Sequence, residues 1–191
     1  MKKCFSTASF FTIAALCIIS SCDPVLIPDP IDPRVPKYTD DGNDVAGALI
    51  NDTPWVSKYS VSLWGATNKP HIRNDLDRDS LSITFTGTWG EDNYTSISFG
   101  FRGYNVSRAS EMPKLNGAKI TLDGIRGSAM IYRDSECKTL GIGQIYFRSV
   151  KYDSETDLIT ISGTFGFNQN DPVCGNLAVT YGRFDFEMFH F

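Results

Sequence analysis

Cationic side chains are the minority charge in this 191-residue chain: 18 Lys and Arg stand against 22 Asp and Glu, a formal net charge of -4. Binding nucleic acid needs clustered Lys and Arg that displace phosphate counterions. No basic stripe occurs, so no nucleic-acid partner is expected. Histidine is scarcer still, at two residues. His71 and His190 lie far apart without flanking ligands, and each reads as structural or solvent-exposed. Beyond the N-terminus no helical period of any length is visible, and no internal repeat. What is plentiful is core material: 41% of residues are hydrophobic and 13% aromatic, enough for one folded domain with a tail and incompatible with disorder throughout.

The N-terminus has the three parts of an export signal: Lys2-Lys3, an apolar run from about Ala8 to Ile19, and the small residues Ser20-Ser21 before Cys22. The run is too short to cross ~30 Å of hydrocarbon as a helix, so it reads as cleaved rather than retained. Ile19-Ser20-Ser21-Cys22 resembles the lipobox of bacterial lipoproteins, whose cysteine is diacylated on sulfur and then acylated on its freed amine. Two or three acyl chains anchor durably where one does so only marginally. The reading is therefore a signal over 1–21 and a lipid-carrying Cys22 at the start of the mature chain. Losing Lys2 and Lys3 takes the formal charge from -4 to about -6. Cys4 and Cys17 leave with the signal, which reserves Cys137 and Cys174 for a disulfide in an oxidising compartment.

Pro24, Pro28, Pro30, Pro33 and Pro36 follow, with a polar stretch from Tyr38 to Asp44. Pro at this density favours polyproline II and excludes helix or inner strand. Residues 22–44 thus read as anchor and tether, up to roughly 60 Å long, and residues 45–191 as the domain.

From Val45 onward short alternating runs are split by Gly, Asn, Asp and Pro, the pattern of an antiparallel all-β domain. Leu81, Ile83 and Phe85 alternate with Ser82, Thr84 and Thr86. Ile97, Phe99 and Phe101 alternate with Ser98 and Gly100, and Ile145 and Phe147 with Gln144 and Tyr146. Each strand has an apolar face and a hydroxylated one, as a sheet with one wet side requires. The expected fold is a β-sandwich or small β-barrel of about ten strands with mainly meander connections. The last strand breaks phase: Leu177, Val179 and Tyr181 are odd, Phe184, Phe186 and Met188 even. One extra residue near Gly182 would return the second set to the core, so a β-bulge is expected there.

The lipobox, the Pro-rich tether, Ile50 to Trp55, Ile142 to Ile145, Ile161-Ser162-Gly163-Thr164-Phe165-Gly166-Phe167 and the closing Val179 to Phe184 are together similar to a family of uncharacterised lipoproteins from gut-dwelling Gram-negative anaerobes. The resemblance covers most of residues 45–188. It implies an exported all-β domain in the cell envelope, with the outer membrane as its expected site, and brings no catalytic residue or ligand. Periplasmic and surface-exposed orientations both stay open.

Several motifs touch on chemistry. Asp75, Asp77 and Asp79 have calcium-loop spacing, but Ser80 and Thr86 stand where that loop needs Gly and Glu, so a solvated acidic loop is the reading and no metal is expected. Asp79-Ser80-Leu81 resembles an O-glycosylation sequon, making Ser80 a possible glycan carrier. The Asn51, Asn93 and Asn105 sequons and Ser135-x-x-Lys138 read as coincidences. Asp185 and Glu187 share the outward face of the last strand, a spacing that can pair carboxylates in a glycosidase. Trp64, Trp89 and Tyr104 are either a sugar-stacking platform or core and loop anchors. No catalytic residue or cofactor is assigned. The expected role is a non-catalytic binding or structural module, held to the bilayer through Cys22, for a glycan, peptide or protein ligand. The alternative is a small hydrolase acting on envelope or dietary glycans.

Replacing Cys22 by Ala is expected to abolish acylation and leave the precursor unprocessed. Incorporation of a palmitate analogue in cells measures this, and equal labelling of variant and wild type would refute the lipobox assignment.

Overall fold

The structure, a computed structural model, describes residues 32–57, 60–62, 65–67, 69–75, 77–91, 93–104, 106–132 and 139–189. Its strands are β1 (Val45–Ile50), β2 (Thr53–Ser57), β3 (Ser60–Ser62), β4 (Gly65–Thr67), β5 (His71–Asp75), β6 (Ser80–Trp89), β7 (Asn93–Arg102), β8 (Lys119–Leu122), β9 (Gly127–Tyr132), β10 (Ile142–Asp153), β11 (Leu158–Asp171) and β12 (Gly175–Phe189). A 3-10 helix spans Ala109–Leu115 with Pro113 inside it.

Ten strands form one sheet in the order β2-β1-β12-β11-β10-β8-β9-β7-β6-β5, and a further β2–β6 pairing joins its ends. The all-β expectation holds, and of the two architectures left open the sheet takes the barrel: β1, β2 and β6 to β12 close into a ring, with β5 paired to β6 outside it. The meander is interrupted once. The chain leaves β7 through the helix and reaches β8 beside β10; β9 then returns between β8 and β7. The β8–β9 contact is the thinnest in the ring, a single parallel pairing of Leu122 with Gly127.

The alternation read from the sequence sets the wall. Leu81, Ile83, Phe85, Ile97, Phe99, Phe101, Ile145, Phe147, Ile159 and Ile161 are all buried. Phenylalanine fills the interior: the Phe85 ring lies 5.3 Å from Phe184 and 5.5 Å from Phe186, and Phe99 lies 5.1 Å from Phe165. A barrel of this strand number is just wide enough for its own side chains to fill. Met112 and Leu115 of the helix join the same core.

The expected bulge is present. Phe165 pairs with Gly182 but Phe167 with Val179, so β12 carries one residue more than β11 across Thr180-Tyr181, and β1 meets the same offset. Tyr181 takes φ 54° and points to solvent, and Leu177, Val179, Phe184, Phe186 and Met188 all reach the core. A second bulge, not anticipated, lies at Arg148 of β10, between Phe147 and Ser149, and explains why even-numbered Val150 is buried with Phe147.

The tether expectation needs correction for its second half. Residues 22–31 lie outside the described residues, but from Asp32 the chain is strapped across the outer face of β1, β11 and β12. Val35 is buried, and Pro36 lies so close over Gly47 that a Cβ there would sit 2.2 Å from the proline ring. Arg183 donates to the Pro36 carbonyl (3.1 Å), Tyr38 Oη meets Ser162 Oγ (3.2 Å), and the Arg148 guanidinium lies 4.4 Å from the Tyr38 ring centre. Pro-rich backbone makes no hydrogen bonds of its own, so it is held wherever a neighbouring surface offers partners. Here that surface is the polar face of β12.

Deleting Tyr181 is expected to turn Phe184, Phe186 and Met188 outward and abolish the fold, whereas Tyr181→Gly, which suits the left-handed backbone, should melt no lower than wild type. Circular dichroism melts check both. A well-folded deletion variant would show that the extra residue does not set the register.

Candidate functional site

On the outer wall, over β6, β7 and β9, lies a groove of about 510 Å³. Its floor is set by strand pairing: Ser82 stands opposite Gly100, and Gly100 opposite Ser128. The alternation that sends Leu81, Ile83, Phe99 and Phe101 inward sends these three outward. Gly100 keeps the floor open, because a Cβ there would come within 2.8 Å of Ser128 Oγ.

Arg78, Arg102 and Arg126 all line this groove. Arg102 and Arg126 are joined by a backbone hydrogen bond (Arg102 N to Arg126 O, 2.8 Å), so their side chains start from adjacent positions. Among the described residues no carboxylate pairs with either guanidinium. Arg78 has only a loose ion pair with Asp75 at 3.6 Å, and its side chain is 82% exposed, an arrangement of little energetic weight. Asp123, the nearest acid in sequence to Arg126, is turned onto its own loop. Its carboxylate accepts the Ile125 and Arg126 amides (2.8 and 3.1 Å), and these bonds hold it below the usual carboxylate range. Ile125, 70% exposed, and Leu140 give the groove an apolar flank.

Ser80 lies in the groove wall, half-buried and paired with Arg102 across β6–β7. The acidic loop before it is a turn: Arg78 N donates to Asp75 O (3.3 Å) and Asp75 Oδ1 (3.2 Å). Among the described residues no group of three His, Cys, Asp or Glu is gathered as a metal would require. His71 is exposed on β5. Asn51 spends its side chain on β12, donating to Asn176 O (2.9 Å) and accepting from Ala178 N (2.8 Å).

Asp185 does sit on the outward face, but the strap covers it, and only 2% of it is exposed. Its two oxygens accept Thr39 Oγ1 (2.5 Å), the amides of Asp41 (3.3 Å), Gly42 (2.8 Å) and Asn43 (3.1 Å), and Asn43 Nδ2 (3.1 Å). Glu187 is half-buried, its Cβ under Gly42 and its amide bonded to Asp44. The pair is therefore a fastening for residues 38–44 and not an open catalytic dyad. Burial raises the Tyr38 hydroxyl above its ordinary range, against the opposing Ser162 bond.

Of the candidate aromatics, the two described ones serve as anchors. Trp89 donates its indole N–H to Ile50 O (3.1 Å), and Trp89 and Tyr104 both pack against the core as anchors. Trp64, Asn105, Ser135, Cys137, Lys138, His190 and Cys22 lie outside the described residues. Cys174 is half-buried in the β11–β12 connection.

No known family, curated protein or solved structure matches this chain. The groove arginines carry no sequence signal, since Arg102 and Arg126 become neighbours only when β9, rather than β8, docks on β7.

Asp185→Asn places an N–H₂ among donors and should weaken the strap by about 2–3 kcal/mol, the scale of one or two charged hydrogen bonds. Trypsin should then cut after Arg34 or Lys37, where wild type resists. Equal resistance in both proteins would show that Asp185 does not hold the strap.

Proposed function

We propose that the protein is an exported lipoprotein, anchored to the outer membrane through acylated Cys22, and that its barrel is a non-catalytic binding module. One observation carries the module reading. The interior is packed with phenylalanine, while the outer wall holds an open groove with two guanidiniums that no carboxylate of the described residues neutralises. Ligand sites are concave, with a few convergent polar groups that fix orientation, and the groove has that form. A glycan, peptide or protein segment is the ligand class.

A Cys137–Cys174 disulfide belongs to the same reading, because it fits an oxidising compartment. β8 stands between β9 and β10 in the sheet, yet the connections that precede β10 and β12 do meet. Asp171 accepts the amide of Thr139 (2.8 Å), two residues after Cys137, and the amides of Val173 and Cys174 (2.9 and 3.1 Å). An O-glycan on Ser80 would occupy the groove that Ser80 lines, so the two uses exclude each other.

The full chain in neutral detergent, incubated with a panel of oligosaccharides and peptides, should show slowed hydrogen exchange over 80–82, 100–102 and 124–128 with at least one member. That ligand should be recovered at unchanged mass. Shortened sugar would assign the site to a hydrolase, and protection confined to other surfaces would remove the groove as the binding site.

A further inference from the structure

We propose that the groove recognises an acidic sugar, with the ring carboxylate of a uronate unit clamped by Arg102 and Arg126; this rests on the binding-module reading above. The charge argument comes first. In a chain of net charge -4, the groove brings three arginines together, and among the described residues only Arg78 has a carboxylate partner, loosely. Guanidinium forks bind planar carboxylates through paired N–H···O bonds, and they do so most tightly where no protein acid competes. Asp123, which stands closest in the chain, has its Oδ1 committed to the Ile125 and Arg126 amides and forms no ion pair with either guanidinium among the described residues.

The floor decides between sugar and peptide. An extended peptide binds a sheet by adding to a free edge, where unpaired backbone N–H and C=O groups await it. Here the floor is mid-sheet: β7 is paired on one side with β6 and on the other with β9. Only side chains and the bare Gly100 face the ligand. Ser80 and Ser128 present hydroxyls able both to donate and to accept, and Ser82, whose Oγ donates to Arg73 O (3.3 Å), presents one able to accept, which suits the hydroxyls of a sugar ring. Ile125 and Leu140 supply an apolar flank for its C–H face. A nucleic acid would need aromatic rings for its bases, and none is exposed in this groove.

Calorimetry on the full chain in neutral detergent, with a galacturonate trisaccharide as probe, tests the assignment. The acid should bind, and its fully methyl-esterified form, equal in shape but uncharged, should bind at least ten-fold more weakly. Arg102→Ala with Arg126→Ala should weaken the acid at least ten-fold and flatten its salt dependence. Gly100→Leu fills the floor at an outward strand position, displacing only the flexible Ser128 hydroxyl, and should block binding without lowering the melting temperature. If ester and acid bind alike, or the double variant binds as wild type, carboxylate recognition is refuted while the module reading stands. If poly-glutamate binds through Arg102 and Arg126 and the sugar does not, the ligand is an acidic peptide, and again only this assignment falls. Absence of any groove binder across the wider panel would take both readings down.

Discussion

A small barrel closes only if its longest strands bend without exchanging their inner and outer faces, and strict alternation by twos makes those demands conflict. β10 and β12 resolve the conflict by each carrying one surplus residue, Arg148 and Tyr181. The inward set of β10 and β12 follows from that accommodation. The bulges let Phe147 and Val150, or Val179 and Phe184, face one interior while the strand turns between them, and a bulge raises local twist. The rings that meet inside come from strands on opposite sides, such as Phe85 on β6 and Phe184 on β12. Core and closure therefore stand or fall together.

The same bulges shape the outside. Arg148, displaced by its bulge, reaches the ring of Tyr38, and beyond the β12 bulge Arg183 and Asp185 meet the strap. A buried carboxylate costs several kcal/mol unless its lone pairs are filled. Asp185 meets that condition with five donors from residues 39–43. Strap and strand are complementary in this strict sense: the segment that takes Asp185 out of water also supplies the donors that replace it.

Strand identity, the apolar faces and the bulge near Gly182 were legible because they are local and depend on parity alone. Ring closure was not, since the β2–β6 pairing joins segments some thirty residues apart with no mark in composition. The order of β8 and β9 was hidden for a related reason. Both have apolar alternation, and the choice between them is made by where the 3-10 helix delivers the chain. The groove arginines depend on that choice, so they stayed invisible too. Asp185 looked solvent-facing because parity tells which side of a sheet a residue occupies, not whether another segment lies over that side. Proline density identified a segment without regular structure but was silent on its partners.

The strap also changes the mechanics of the proposed anchor. With residues 32–44 held against the barrel, ten residues, 22–31, separate the proposed anchor from the strap, and a chain of that length reaches at most about 35 Å fully drawn out. On the proposed anchor the barrel would stay within one domain width of the lipid surface. Any pull along those residues enters first at the Asp32–Arg34 pair and the Pro36 contact, then at Asp185, before it can reach the β1–β12 ladder. The strap would serve as a strain relief, giving way in steps while the sheet behind it keeps its shape.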